Sequence, residues 1–189
     1  MCMEDLRITM RMNLGKERYE HTLGVAYTAA CLAGLYGVDT TKALRAGLLH
    51  DCAKCFDSES ILYLCKKYGI SISEVERRNP TSLLHSKVGA KYAADEYGEK
   101  DDEVLAAIEH HTTGRPDMSM LEKIIFVADY MEPGRDKASN LYEIRKLAFS
   151  DIDKALVKIL QDTLEYLSSK NKEIDPATKR TLEYYSGQQ

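Results

Sequence analysis

Residues 16–37 read Lys-Glu-Arg-Tyr-Glu-His-Thr-Leu-Gly-Val-Ala-Tyr-Thr-Ala-Ala-Cys-Leu-Ala-Gly-Leu-Tyr-Gly. Val25, Leu32 and Leu35, with Ala29 beside them, recur at helical spacing, and Gly37 stands where a helix C-terminal glycine would. The same periodicity runs outward through the chain, and no segment shows two-residue alternation between hairpin turns. The fold class this predicts is all-α. Asp39 or Thr40 starts a second helix, running to about Cys52, and a third follows Ser58 and stops at Gly69. A short piece begins at Ser71 or Ser73 and must end before Pro80, because the residue preceding proline disfavours the helical region. Further helices are expected from about Leu84 to Tyr97, Asp102 to His111, and Ser119 to Met131. Asn140 caps a short helix. Ser150 with Asp153 resembles a capping box for a long helix to about Leu167, and Pro176 opens the last one.

The chain has 189 residues, 26 Lys plus Arg, 30 Asp plus Glu, a formal charge of −4 and 44% hydrophobic residues. This is the profile of a globular protein, expected as one domain over 1–189, with a core at about 16–135 and C-terminal helices 140–189 packed on it. The balanced charge argues against a nucleic-acid polymer as partner, since polyphosphate backbones call for a basic surplus. Arg7 and Arg11 interrupt any signal-like apolar start and no apolar run approaches a membrane span, so the expected location is cytoplasmic. Five cysteines do not make a disulfide framework, and Cys52-x-x-Cys55 lacks a second pair for a thiolate zinc site. A chain of this length buries about 70% of its unfolded surface, so a metal here would serve function, not folding.

Helical phase assigns inward positions to several polar residues. His21 leads the row Val25, Thr28, Leu32, Leu35; His85 leads Val88, Gly89 and Tyr92; His111 shares a face with Val104, Ala107 and Ile108; Asp129 continues Leu121 and Ile125. His50 and Asp51 end the second helix, where adjacent side chains can both turn toward a site in front of the terminus. A lone inward histidine is ordinarily a hydrogen-bonded core residue, but a buried carboxylate needs a partner or a cation. A shared divalent cation satisfies all of them together. His21, His50, Asp51 and Asp129 make one site; His85 and His111, with Asp51 bridging, supply a second, and His110 is left over. Imidazole and carboxylate without thiolate suit iron, manganese, cobalt or zinc. Two ions about 3.5–4 Å apart suit activation of a water and in-line phosphoryl displacement.

These residues sit in extended motifs: Arg18-Tyr19-Glu20-His21-Thr22, Gly47-Leu48-Leu49-His50-Asp51-Cys52-Ala53-Lys54, His85 before Val88-Gly89-Ala90, His111-Thr112-Thr113-Gly114-Arg115, and Ala128-Asp129-Tyr130-Met131-Glu132-Pro133-Gly134-Arg135. Together they resemble the HD-domain metal-dependent phosphohydrolase superfamily, and within it the bacterial YqeK family, over nearly the whole chain. Ser86 stands where that family usually has glycine, and Asp175 precedes Pro176 where a histidine is expected.

The resemblance implies an HD-domain helical bundle and a symmetrical bis(5′-nucleosyl)-tetraphosphatase, taking diadenosine tetraphosphate and water to two ADP at an iron centre of one or two ions. Asp51 and His50 would be catalytic. Arg18, Lys54, Arg115 and Arg135, each near a metal-ligand motif, would cradle phosphate, with His85, His111 and the Thr112-Thr113-Gly114 loop beside them. Lys170 and Pro176 would contribute to nucleotide binding on the resemblance alone. The alternatives are an HD phosphohydrolase of a nucleoside monophosphate, deoxynucleotide or cyclic dinucleotide, and a non-catalytic nucleotide-sensing module. Tyr184 and Tyr185 offer a surface for a homodimer.

Overall fold

A computed structural model describes residues 1–187, and among them it contains twelve α-helices and no strand. They are α1 (Met3–Asn13), α2 (Lys16–Tyr36), α3 (Thr40–Leu49), α4 (Ser58–Lys67), α5 (Glu74–Arg78), α6 (Pro80–Leu83), α7 (His85–Glu96), α8 (Asp102–His110), α9 (Met120–Met131), α10 (Leu141–Ala148), α11 (Ile152–Ser169) and α12 (Pro176–Ser186). No helix among the described residues is long and apolar enough to cross a membrane.

Most boundaries follow local chemistry. The Asp39 carboxylate accepts from the Thr41 and Lys42 N–H groups at the start of α3, and Ser119 forms a capping box with Glu122 at α9. Gly37 ends α2 at φ 70°, in the left-handed region a side chain would resist. Three expectations need correction, whereas the segment before Pro80 ends where expected. α1 was not anticipated, because only Leu6, Met10 and Leu14, spaced four apart, are buried along a stretch otherwise polar or exposed. Leu35 is 54% exposed, since the buried stripe of α2 runs through Val25, Ala26, Ala29, Leu32 and Ala33 instead. Asp151, not Ser150, caps α11 by accepting from the Lys154 N–H. Pro80 both ends the α5 segment and opens α6 as its first residue, where its missing N–H costs nothing.

A central core gathers side chains from α1, α2, α3 and α7 through α12, with Leu6, Leu32, Leu49, Ile108, Ile125 and Leu156 fully buried, while Ile61, Leu64 and Cys65 of α4 pack with Ala53, Leu84 and Val88 in a second cluster. α2 and α3 pack backbone to backbone at Gly47: a Cβ there would stand 2.5 Å from the Cα of Ala26, a backbone atom that cannot move aside. Gly47→Ala is therefore expected to cost about 3 kcal/mol by overpacking, read as a lowered thermal midpoint. α3 ends at Leu49, three residues earlier than the sequence suggests, and the chain continues in tight turns, with Cys52 N–H donating to Leu49 and Lys54 N–H to Asp51.

The C-terminal segment is held within the chain. Glu173 receives Arg78 and Asn79, and Asp175 caps α12 through the Ala177 N–H at 2.7 Å. Tyr185 is buried, with its hydroxyl accepting from the Met118 N–H, so it is no part of a surface for a second copy.

Candidate metal centre

The ends of several helices converge. α2 brings Arg18 and His21 in its first two turns, α3 ends on His50 and Asp51, α7 begins with His85, α8 is capped by His111, and α9 carries Asp129 in its last turn. A helix C-terminus leaves carbonyls without intrahelical partners. His50 and His111 use them: each ring donates its Nδ1–H to the carbonyl three residues back, Gly47 at 2.7 Å and Ile108 at 2.8 Å. That fixes both rings with Nε2 facing outward into the same space. His21 reaches the same tautomer differently, its Nδ1–H donating to Glu132 Oε1 at 3.1 Å.

Around that space the donor atoms crowd. Asp129 Oδ1 lies 3.0 Å from His21 Nε2 and 3.9 Å from His50 Nε2. Asp51 faces both ways: Oδ2 is 3.5 Å from His50 Nε2 and 3.9 Å from His21 Nε2, while Oδ1 is 3.4 Å from His85 Nε2 and 3.6 Å from His111 Nε2. Two groups, His21 with His50 and Asp129, and His50 with Asp51 and His111, each offer ligand atoms within 4.8 Å of one another. His50 belongs to both. His85 Nε2 sits 3.1 Å from His111 Nε2, with the Thr112 hydroxyl 3.2 Å away, but its Nδ1 is buried without the orienting partner that the other three rings have.

Burial alone would raise the Asp51 carboxyl; the His50, His111 and His85 rings gathered around it instead hold it well below the usual carboxylate range. Burial likewise opposes ionisation of Asp129, and the His21 ring and the charge of His50 override it. His85 is pushed well below the ordinary imidazole range by burial, with His111 and Lys54 adding to the effect. In metal-free protein the unfolded His85 then binds a proton, below about pH 6.5, that the folded ring does not. Stability should fall as pH drops through that window, and further below the carboxylate range as Asp51 and Asp129 protonate. The check is the urea midpoint of chelated protein at about pH 7.5 and about pH 5; a His85→Gln variant should show a smaller difference.

The residues fit a cation. His21 Nε2 and His50 Nε2 are buried without a hydrogen-bond partner, and each such atom costs about 1–3 kcal/mol unless something satisfies it. The thiols are turned elsewhere, Cys52 Sγ donating to the Gly89 carbonyl and Cys55 Sγ to that of Cys52.

Of the basic residues, three stand at the cluster. Arg18 Nη1 meets Asp51 Oδ2 at 2.7 Å, and Arg135 holds Asp129 through Nη2 to Oδ1 at 2.7 Å and Nε to the backbone carbonyl at 2.9 Å. Lys54 Nζ donates to the Thr81 carbonyl at 3.0 Å, and burial lowers its pKa, with Asp51, Arg18, Asp129 and Arg135 all within electrostatic reach. Arg115 is not brought there: its guanidinium grips the buried Glu122 bidentately and the Pro116 carbonyl. In the threonine loop only the Thr112 hydroxyl reaches the rings. Thr113 Oγ1 donates to the Gly114 carbonyl, and the Gly114 N–H closes the helix end on His110. Lys170 and Pro176 are exposed at the ends of α11 and α12, with no hydrogen bond or ion pair to the cluster. Sequence reasoning passed over Glu132, although it lies only three residues after Asp129, at the C-cap of α9.

Comparison with known proteins agrees with this geometry. Residues 18–134 match the HD domain family model. A Halalkalibacterium halodurans protein named "Bis(5'-nucleosyl)-tetraphosphatase, symmetrical" is 41% identical over 91% of this chain and 90% of its own, and a Bacillus subtilis protein of the same name is 37% identical over 97% of each. The crystal structure of a predicted HD superfamily hydrolase involved in NAD metabolism from Clostridium acetobutylicum superposes with a TM-score of 0.96 at 41% identity, covering 100% of this chain and 99% of that one. The chain belongs to the HD-domain family, in the YqeK group of symmetrical bis(5′-nucleosyl)-tetraphosphatases.

Proposed function

We propose that this protein hydrolyses diadenosine tetraphosphate symmetrically, giving two ADP, with one or two divalent cations, iron foremost, held by His21, His50, Asp51, Asp129 and His111. The observation that carries this reading is the convergence of three outward-fixed imidazole nitrogens on two carboxylates, rimmed by Arg18, Lys54 and Arg135. The cytoplasm, where nucleotides are made and consumed, is the compartment we assign.

A cation bound there supplies Lewis acidity toward phosphate oxygen and lowers the pKa of water. The chain's own groups do the rest. Arg18 and Arg135 are about two-fifths exposed, at 41% and 42%, so their remaining N–H donors face outward to phosphate oxygens. Lys54, with one carbonyl partner, has further N–H donors for a second oxygen. The Thr112 hydroxyl and the unanchored His85 ring hydrogen-bond the phosphate nearest His111. Asp51, kept ionised, accepts a hydrogen bond from the attacking water and aims its oxygen at an inner phosphorus. The bond between the two inner phosphates breaks and ADP leaves, its developing charge met by the arginines.

The test is a panel of nucleotides incubated with metal-free and metal-reconstituted protein. ADP from diadenosine tetraphosphate, formed only with cation present and fastest with iron, is the expected result. Free phosphate as the main product, from a monophosphate or deoxynucleotide, would give the site to a different phosphohydrolase reaction. Absence of hydrolysis with every cation would make it a sensing module.

A further inference from the structure

We propose that Glu132 is a positioning residue, which fixes the tautomer and direction of His21 and for which Gly24 is kept free of a side chain. The inference rests on the cluster being the cation site. His50 and His111 are oriented by backbone carbonyls of their own helices, which no substitution removes. His21 sits near the start of α2, where helix carbonyls are already paired, and a side chain 111 positions along the chain, at the end of the neighbouring α9, does the same task.

Glu132 is built for it. Its residue is 3% exposed, its Oε1 accepts from His21 Nδ1–H at 3.1 Å, and its Oε2 accepts from the Gly134 N–H at 2.6 Å. Both partners are donors, so only a carboxylate satisfies the two at once; an amide would set its NH₂ against one of them. The space it occupies is the space a side chain on α2 would fill. A Cβ at Gly24 would stand 2.3 Å from Oε2 and 3.0 Å from Cδ of Glu132. The carboxylate, at the end of a flexible side chain, would move aside, away from His21 and with the loss of its two hydrogen bonds. Orienting partners of this kind, one shell out from a cation, are typically worth ~10–100-fold in its affinity.

The test uses full-length, metal-free protein. Titration calorimetry with Mn²⁺ should show ~10–100-fold weaker binding for Glu132→Gln and for Gly24→Ala, in variants that keep the far-UV circular dichroism of the parent chain. In the double variant Gly24→Ala with Glu132→Ala, the glycine change should add less than about 2-fold to the loss from Glu132→Ala, because the group it displaces is gone. Nitrogen-15 NMR of the metal-free chain should show a proton held on His21 Nδ1 in the parent, whatever the state of Nε2 beside Asp129, and its partial loss from Nδ1 in Glu132→Ala. Parent-like Mn²⁺ affinity in Gly24→Ala and Glu132→Gln, losses that multiply in the double variant, or an unchanged His21 tautomer would each overturn the proposal. Failure of the parent chain to bind Mn²⁺ would instead contradict the cation site, while the NMR comparison would still decide the role of Glu132.

Discussion

Asp51→Ala should lower turnover of diadenosine tetraphosphate by ~10³-fold or more, the combined scale of losing an orienting base and an electrostatic anchor. No other side chain touches so many members of the site: its two oxygens lie 3.4–3.9 Å from four histidine nitrogens and 2.7 Å from Arg18. Asp51→Asn keeps the shape and one acceptor oxygen but loses the charge. It should therefore fold like the parent while remaining close to Asp51→Ala in rate. Steady-state kinetics with iron-loaded protein checks both, and near-native turnover in either variant would remove Asp51 from the chemistry.

His50→Ala should have the next largest effect, because this ring is the member common to both ligand groups. Cation affinity should fall by more than the ~10–100-fold typical of an outer partner. The ring is also fully buried, so its removal leaves a cavity and strips the Gly47 carbonyl of its donor. A stability loss of about 2 kcal/mol in the chelated protein is expected from those two effects. Calorimetric titration and chemical denaturation separate the two consequences. A variant that bound cations as the parent does would show that His21 and Asp129 suffice.

The helical class and the members of the cluster were legible in the sequence because both follow from phase: inward polar residues share rows with Val25, Leu32, Val104, Ile108 and Ile125, all of them buried. The His50-Asp51 pair was legible for a related reason, since a helix terminus lets neighbours face one way, and α3 does end at Leu49. What escaped depends on partners far along the chain. Arg115 reads as a phosphate ligand by its neighbourhood in sequence, but Glu122, seven residues on and 1% exposed, claims it through two hydrogen bonds. Glu132 acts on a ring 111 positions away, and no local pattern reports that distance. α1 escaped because the exposed Ile8 and Met12 break into the four-residue spacing of the buried Leu6, Met10 and Leu14, so no single apolar row stands out. Asp175 proves to be a helix cap, a place that suits an acidic side chain.

In the proposed reaction water attacks an inner phosphorus at this cluster and splits the tetraphosphate in half. Iron-loaded protein turned over in H₂¹⁸O, with the products separated and weighed by mass spectrometry, should then give ADP alone, half of it carrying one ¹⁸O on its terminal phosphate; ATP with AMP, or ADP without label, would mean that water does not attack there.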